Sequence, residues 1–275
     1  QRQALQAIRF VSDEERVHEE VIREVMKKLL ELKWDSTPPE LAREVHRLVR
    51  RDSGDADPYK KVKDDSNKEA LMLYPRMKKI VQESADPMVT AARIAIAGNI
   101  IDFGAVVEYD LEATISQVLE KRFAVDDSAA FRKKLGKASS ILYFMDNAGE
   151  IVFDKLFVET LLGEFDIANV DFVVKGGPIL NDATMLDARS VGLDEIPEVS
   201  FLKITNGEPG SGPSRRSDEV RSWIKSHDLT ISKGQGNYEE MSEYSGIFFL
   251  LIAKCPLIAN NISVNVGDIV FKESK

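Results

Sequence analysis

After Lys137 the sequence alternates between short apolar runs and longer stretches with the periodicity of a helix. The apolar runs cover residues 141–145, 170–174, 199–204, 229–232, 247–252 and 268–271. Such alternation is typical of βαβ units and predicts a mostly parallel sheet. The run from Ile141 to Met145 is apolar at every position, as expected of a central strand that is covered on both faces. We therefore expect residues 131–275 to form a Rossmann-like domain with three layers, α/β/α.

The first 130 residues show a different pattern. Apolar residues recur at helical spacing through residues 17–30 and 41–49, and again through residues 70–84, 87–101 and 111–122. This part of the sequence contains no convincing strand pattern. We expect residues 1–130 to form a helical region, of one or two subdomains, in front of the α/β domain, which gives the whole chain an α/β fold.

The charge balance limits the partners of the protein. Asp and Glu number 46 against 37 Lys and Arg, for a formal net charge of −9. An acidic chain repels nucleic-acid phosphates and anionic membranes on average, which favours small-molecule partners. The longest apolar run, residues 246–253, is far shorter than the roughly 20 residues that span a bilayer. The single cysteine, Cys255, has apolar neighbours and is expected to be an inert buried thiol. We expect a soluble, cytoplasmic protein.

Polar residues follow three of the predicted strands. The first strand leads into residues 146–150, the second leads through residues 175–178 to residues 181–182, and the fourth leads into residues 233–237. Open parallel sheets bind ligands beyond the carboxyl ends of their strands, so these three segments are expected to converge on one edge.

Two of the segments contain candidate metal ligands. Asp146, Asn147 and Asp182 offer two carboxylates and an amide oxygen, which suit Mg²⁺ or Mn²⁺. Glu150, one helical turn beyond Asp146, can orient a water molecule or act as a base. The alternative is that Asp146-Asn147 and Asn181-Asp182 only turn the chain and cap the helices that follow. Capping and metal binding do not exclude each other.

The third segment has the composition of a phosphate-binding turn. It reads Lys233-Gly234-Gln235-Gly236-Asn237. Glycines let backbone N–H groups approach an anion closely, the following helix directs its positive end there, and Lys233 adds charge. The segment is neither a Walker loop nor a dinucleotide-binding fingerprint, and the alternative is an ordinary tight turn between a strand and a helix.

Three further polar residues are candidate substrate contacts. Asn99 and Asp102 are three residues apart on one face of an otherwise apolar helix, where polar groups need structural or catalytic partners. Asn181 precedes the third candidate metal ligand.

Taken together, these motifs resemble the damage-control phosphatase family, which is also called ARMT-like, and in particular its stand-alone microbial branch. The resemblance extends over most of the chain. It rests on the strings at residues 146–150, 177–184 and 232–239, on residues 98–102 and 253–256, and on Asp57-Pro58-Tyr59 with Lys63 and Asn67 after it.

The resemblance implies a helical region on a Rossmann-like domain, and a divalent metal (Mn, Co, Ni or Mg) held by Asp146, Asn147 and Asp182. It also implies hydrolysis of phosphate esters of small metabolites, including sugar phosphates and damaged metabolites. One rival hypothesis is an S-adenosylmethionine-dependent carboxyl methyltransferase, although such enzymes place a glycine-rich turn after the first strand. Another is a metal-dependent metabolite sensor without turnover. In the phosphatase hypothesis Lys233 contacts the phosphate, and the attacking group is either water or Asp146.

Overall fold

The computed structural model describes residues 5, 8–10, 12, 14–31, 45–51, 54–98, 116–117, 119–204 and 217–275. The helices of the N-terminal region are α1 (Glu15–Glu31), α2 (Lys60–Glu83) and α3 (Pro87–Ala97), and residues 45–51 are also helical. Helix α3 begins where the Asp86 side chain accepts a hydrogen bond from the Val89 N–H, with Pro87 in the first turn. Proline suits this position because the first N–H groups of a helix have no intrahelical acceptor.

The rest of the chain alternates strands with helices, as the apolar runs predict. In order, the elements are β1 (Val125–Asp126), α4 (Ser128–Leu135), β2 (Ser140–Phe144), α5 (Glu150–Glu164), β3 (Asn169–Lys175), α6 (Met185–Ser190), β4 (Val199–Ile204), α7 (Asp218–Ser226), β5 (Leu229–Lys233), α8 (Gln235–Met241), β6 (Ile247–Ile252), α9 (Pro256–Ile262) and β7 (Ile269–Glu273).

These strands form one seven-stranded sheet in the order β1-β7-β6-β5-β2-β3-β4. Strand β2 lies in the middle, with β3 and β5 as parallel neighbours. The β6–β7 pair is antiparallel, whereas β1 pairs with β7 in parallel. The predicted mostly parallel sheet is thus confirmed. Strand β1 was not predicted, and it lies just before residue 131, where the α/β domain was predicted to begin.

Alternate residues of the central strands face opposite sides of the sheet, each covered by helices. Ile141 and Tyr143 of β2 belong to an apolar core that also includes residues of α2, α3 and α5. Leu142 and Phe144 belong to a second core on the other face, with residues of α7, α8 and α9. This burial on both faces explains why the central strands are apolar throughout, and it confirms the three-layer α/β/α fold.

The helical region packs directly on the α/β domain. Helix α3 is buried from Ile94 to Ala97, and its C-terminal end lies against the start of α5. A Cβ atom added to Gly98 would lie 2.9 Å from Phe153 Cδ2 and 3.2 Å from the Glu150 Cα. Glycine therefore allows the end of α3 to approach α5 closely. Among the described residues, no helix is long and apolar enough to cross a membrane.

A separate small core holds the earlier helices together. It comprises Ile8, Val21, Val25, Val45, Leu48, Val49 and Tyr59, with Leu180 of the α/β domain packed against it. His46 is buried beside this core, and its ring meets the Tyr59 ring edge to face at 5.5 Å. Burial, together with the nearby charge of Arg50, lowers the pKa of His46 to about 4.

Candidate metal and phosphate site

The segments that follow β2 and β3 meet at the carboxyl edge of the sheet. Asn147 and Asp182 form an isolated antiparallel bridge. The Ala183 N–H donates to the Asp146 carbonyl at 2.8 Å, and the Ala148 N–H donates to the Asn181 carbonyl at 2.8 Å. Backbone hydrogen bonds therefore hold the three predicted metal ligands side by side, as expected from the adjacency of β2 and β3.

The segment after β5 reaches the same place. Gly234 has φ +79° and ψ 161°, a conformation that is almost restricted to glycine. A Cβ atom at this position would lie 1.8 Å from Asp146 Oδ2 and 2.3 Å from Asp146 Cγ. The Asp146 carboxylate thus rests directly on the Gly234 backbone, and glycine is needed for both its conformation and its small size.

The amide of Asn147 is oriented by carboxylates. Its Nδ2 donates to Asp146 Oδ2 at 3.1 Å and to Glu150 Oε2 at 3.4 Å. With the amide nitrogen directed at these two acceptors, the amide oxygen is the atom that can face a cation. Glu150 thus acts on Asn147 in this structure, and its side chain is fully buried.

Asp182 lies beside a lysine at the end of β3. Lys175 Nζ is 3.4 Å from Asp182 Oδ2, and the Asp182 side chain is 18% exposed. Burial raises the pKa of Asp182 to about 6, against the opposing charge of Lys175, and the negative charges of Asp146 and Glu240 add to the rise. The site thus concentrates carboxylates that repel one another.

Lys233 is the centre of a fully buried charge cluster. Its Nζ donates to Glu150 Oε1 at 2.5 Å, to Asp154 Oδ1 at 2.7 Å and to the Ala95 carbonyl at 2.9 Å. Asp154 Oδ1 also accepts from the Tyr143 hydroxyl at 2.7 Å. Because Glu150 and Asp154 are four residues apart, they lie on one face of α5 and share this lysine.

The charges in the cluster oppose the cost of burial. Burial raises the pKa of Glu150 to about 7, with Lys233 opposing the rise and the charges of Asp146 and Asp154 adding to it. Burial likewise raises the pKa of Asp154, although Lys233 and Tyr143 oppose it. Burial alone would lower the pKa of Lys233, but the two carboxylates hold it above its ordinary value, so this lysine is charged.

These contacts differ from the predicted role of Lys233. All three N–H donors of its ammonium group are used by protein acceptors, and the side chain has no exposed surface. The structure therefore does not support a direct contact between Lys233 and a phosphate. Lys233 instead connects the C-terminal end of α3 to Glu150.

The other predicted phosphate-binding residues also have structural partners. Asn237 Nδ2 donates to the carbonyls of Met145 and Lys233, which joins the ends of β2 and β5. The Gln235 amide contacts Glu239 and the backbone N–H of residue 254. Gly236 is exposed. Of this segment, the backbone N–H groups in the first turn of α8 are thus the groups that can meet an anion.

The helical region supports both ligand-bearing segments. Asn67 of α2 contacts Gly149 and Asp187, which belong to the segments that follow Asn147 and Asp182. Leu180 has a left-handed φ of 47° and packs against the small N-terminal core, and Arg50 donates a hydrogen bond to the Pro178 carbonyl. The segment that carries Asp182 is therefore fixed from the helical side.

Sequence reasoning did not identify Asp154, Tyr143, Lys175 or Asp187 as parts of this site. Two spacings carried a signal: Asp154 is one helical turn beyond Glu150, and Thr184 with Asp187 has the spacing of a capping box, which the structure contains. The predicted substrate contacts Asn99 and Asp102 lie outside the described residues.

The donor set fits a hard divalent cation through oxygen atoms alone. Among the described residues, no group of three or more His, Cys, Asp or Glu side chains is arranged to hold a metal ion. The predicted site therefore depends on the Asn147 amide oxygen as its third ligand, beside Asp146 and Asp182. Two carboxylates and one amide oxygen match the preference of Mg²⁺ or Mn²⁺.

Comparison with known proteins agrees with this architecture. The family model of the damage-control phosphatase ARMT1-like domain matches residues 1–270. This chain is a member of that family. A damage-control phosphatase from Archaeoglobus fulgidus is 35% identical over 96% of this chain and 92% of its own length. An uncharacterised protein from Methanocaldococcus jannaschii, MJ0202, is also 35% identical, over 97% of this chain and 90% of its own length.

The fold of this family member matches a known crystal structure. The DUF89 family protein PH1575 from Pyrococcus horikoshii superimposes with a TM-score of 0.86 at 28% sequence identity, covering 100% of this chain and 95% of that protein. Membership in this family implies a phosphatase and a small phosphorylated substrate.

Proposed function

We propose that this protein is a metal-dependent phosphatase that hydrolyses phosphate monoesters of small metabolites, such as sugar phosphates or related damaged metabolites. The observation that carries the proposal is the meeting of Asp146, Asn147 and Asp182 through the backbone bridge between the segments after β2 and β3. In this proposal the three side chains hold Mn²⁺, Co²⁺, Ni²⁺ or Mg²⁺. When bound, such a cation neutralises charge on the phosphoryl oxygens and promotes attack by water in line with the leaving group.

The surrounding residues prepare the ligands. Glu150 orients the Asn147 amide, so that the amide oxygen is directed at the cation rather than the nitrogen. Lys175 contacts Asp182 and offsets part of the negative charge of the site. Such second contacts set the orientation and basicity of metal ligands, and their loss commonly weakens metal affinity 10- to 100-fold.

Glu150 was also predicted to act as a base towards the attacking water. Its side chain is fully buried and its two oxygens accept from Lys233 and Asn147, so we propose that it acts by holding the Asn147 amide. Lys233 keeps this carboxylate in place from the buried side. Backbone N–H groups in the first turn of α8 bind the phosphoryl oxygens in this proposal, in place of the Lys233 ammonium.

A phosphatase assay with metal-free protein and added Mn²⁺, Co²⁺, Ni²⁺ or Mg²⁺ tests the proposal. With p-nitrophenyl phosphate we expect turnover that depends on the metal and falls at least about 100-fold in Asp146→Ala and Asp182→Ala, more than the loss of an outer-shell contact causes. Asp228→Asn is the control, because Asp228 lies at the opposite end of the sheet, where it accepts hydrogen bonds from Ser139 and Ser140. Full activity in both alanine variants would contradict the proposal, and metal binding without turnover would favour a sensor.

The substrate class is tested separately with a panel of sugar phosphates. We expect a measurable preference among them, with kcat/KM above that for p-nitrophenyl phosphate. Equal or lower activity on every sugar phosphate would contradict this part of the proposal, while leaving the phosphatase activity itself intact.

A further inference from the structure

One buried side chain of the helical region contacts the polypeptide on both sides of the proposed metal site. Asn67 lies on α2 and is 3% exposed. Its Oδ1 accepts a hydrogen bond from the Gly149 N–H at 2.6 Å. Its Nδ2 donates to Asp187 Oδ1 and to Ser190 Oγ, each at 3.3 Å. A single amide group therefore joins the segment after β2 to the helix that follows the segment after β3.

The contact with Gly149 controls the position of Asn147. Gly149 has φ +79° and ψ −52°, and the carbonyl of Asn147 accepts from the Ile151 N–H at 3.3 Å. The segment between Asn147 and the start of α5 is thus a tight turn, and its buried Gly149 N–H has Asn67 as acceptor. If the Asn67 oxygen moves, the backbone at Gly149 moves with it, and Gly149 is only two residues beyond the proposed metal ligand Asn147.

The contact with Asp187 controls the position of Asp182 in the same way. Asp187 Oδ2 accepts from the Thr184 N–H at 2.9 Å and from the Thr184 hydroxyl at 2.6 Å, which forms the capping box of α6. Thr184 is two residues beyond Asp182, and the Ala183 N–H between them is bonded to the Asp146 carbonyl. The start of α6 and the ligand Asp182 therefore move together.

A buried ion pair stabilises this arrangement. Lys63, one turn before Asn67 on α2, lies 3.5 Å from Asp187 Oδ2 and 2.6 Å from Asp57 Oδ2, and its side chain is 3% exposed. Lys63 thus gives the buried Asp187 side chain a partner of opposite charge, and a buried carboxylate without such a partner would be costly. Lys63 and Asn67 thus present one side of α2 to both ligand-bearing segments.

We propose that Asn67 is a positioning residue that sets the separation of Asn147 and Asp182 and thereby the metal affinity of the site. The inference rests on the proposed function, because it takes these two residues as metal ligands. The amide at position 67 meets both requirements, since its oxygen accepts from Gly149 and its nitrogen donates to Asp187. Aspartate in its place would bring a second carboxylate against Asp187, and alanine would leave the buried Gly149 N–H without its acceptor.

Helix α2 provides a matched control. Tyr74, two turns beyond Asn67, donates its hydroxyl hydrogen bond to Glu159 of α5 at 2.6 Å. This bond also connects α2 to the α/β domain, but it lies far along α5 from Gly149. Tyr74→Phe therefore removes one hydrogen bond between α2 and the α/β domain, and it leaves both ligand-bearing segments unchanged.

The test is calorimetric titration of the metal-free, full-length protein with Mn²⁺ alone. We expect the Kd for Mn²⁺ to rise about 10- to 100-fold in Asn67→Ala and Asn67→Asp, the range found for outer-shell contacts, and to stay within about twofold in Tyr74→Phe. Because the ligands themselves remain, excess Mn²⁺ should restore most of kcat in Asn67→Ala. Asn67→Ser, which keeps a short polar side chain, is used for the same comparison if the alanine variant does not fold.

The outcomes separate this inference from the proposed function. An unchanged Kd in the Asn67 variants, or an equal rise in Tyr74→Phe, would overturn the positioning role. If Asp146→Ala abolishes Mn²⁺ binding while Asn67→Ala leaves it intact, the phosphatase proposal stands and the positioning role fails. If the unmodified protein binds no Mn²⁺, the same titrations are made with Co²⁺, Ni²⁺ and Mg²⁺, and both proposals fail if none of the four cations binds.

Discussion

The contact between Gly234 and Asp146 makes Gly234→Ala the sharpest probe of the site. At φ +79° and ψ 161° a residue other than glycine costs about 1–3 kcal/mol of backbone strain. The new Cβ atom would lie 1.8 Å from Asp146 Oδ2, whereas real Cβ contacts are not shorter than 3.0 Å, so the carboxylate must move by about 1 Å. A displacement of that size at a reacting centre can cost about 100-fold in rate.

A second glycine separates the two effects. Gly246 has φ +82°, but a Cβ atom there would have no neighbour within 4 Å. Gly246→Ala should therefore lower the free energy of unfolding through backbone strain and leave the site unchanged. We expect both variants to lose stability in urea unfolding, and only Gly234→Ala to lose about 100-fold in kcat/KM and to bind Mn²⁺ more weakly. Wild-type kinetics and Mn²⁺ affinity in Gly234→Ala would refute the placement of Asp146 in the site.

Two further predictions concern buried charges. Lys233→Met leaves two buried carboxylates without their cation and should cost about 3–5 kcal/mol in urea unfolding at pH 8. The loss should shrink towards pH 5 as those carboxylates take up protons. The exposed Lys254→Met is the control, and a loss that does not depend on pH would contradict the explanation. For His46, the folded pKa of about 4 lies below the ordinary 6.5, so its contribution to stability is complete above pH 6.5 and declines as the pH falls towards 4. Between pH 7.5 and 5 the unmodified protein should lose about 2 kcal/mol more than His46→Leu, and parallel pH profiles would contradict this.

The strands of the sheet were predictable where burial on both faces makes a run apolar throughout. Residues 141–144 and 247–252 show this pattern, and they lie in the inner strands β2 and β6. Strand β1 (Val125–Asp126) has no such pattern because it is only two residues long. It is a strand because it pairs with β7, which lies far along the chain. The antiparallel direction of β7 is likewise a consequence of long-range pairing, which local periodicity does not report.

The convergence of the candidate site was predictable for the same topological reason. Parallel strands that are neighbours place their carboxyl ends together, so polar residues after β2, β3 and β5 had to lie close once those strands were adjacent. Periodicity alone could not indicate that α2 contacts the segments that carry the proposed metal ligands. Asn67 is some 80 residues from Gly149, and no local pattern relates the two.

The direction of the Lys233 side chain could not be predicted from the residues that follow the strand. A lysine next to glycines at a strand end has the composition of an anion site, and that composition is the same whether its ammonium faces outward or inward. The direction depends on what the opposite layer offers, and here α5 offers two carboxylates one turn apart and α3 a carbonyl. If the ammonium group pointed outward to a substrate, the two buried carboxylates of α5 would have no cation, which is costly. The inward direction of Lys233 avoids this cost. In the proposed mechanism the lysine acts through Glu150, whose position it fixes. Its bond to the Ala95 carbonyl adds the end of α3 to the structure that supports the proposed site.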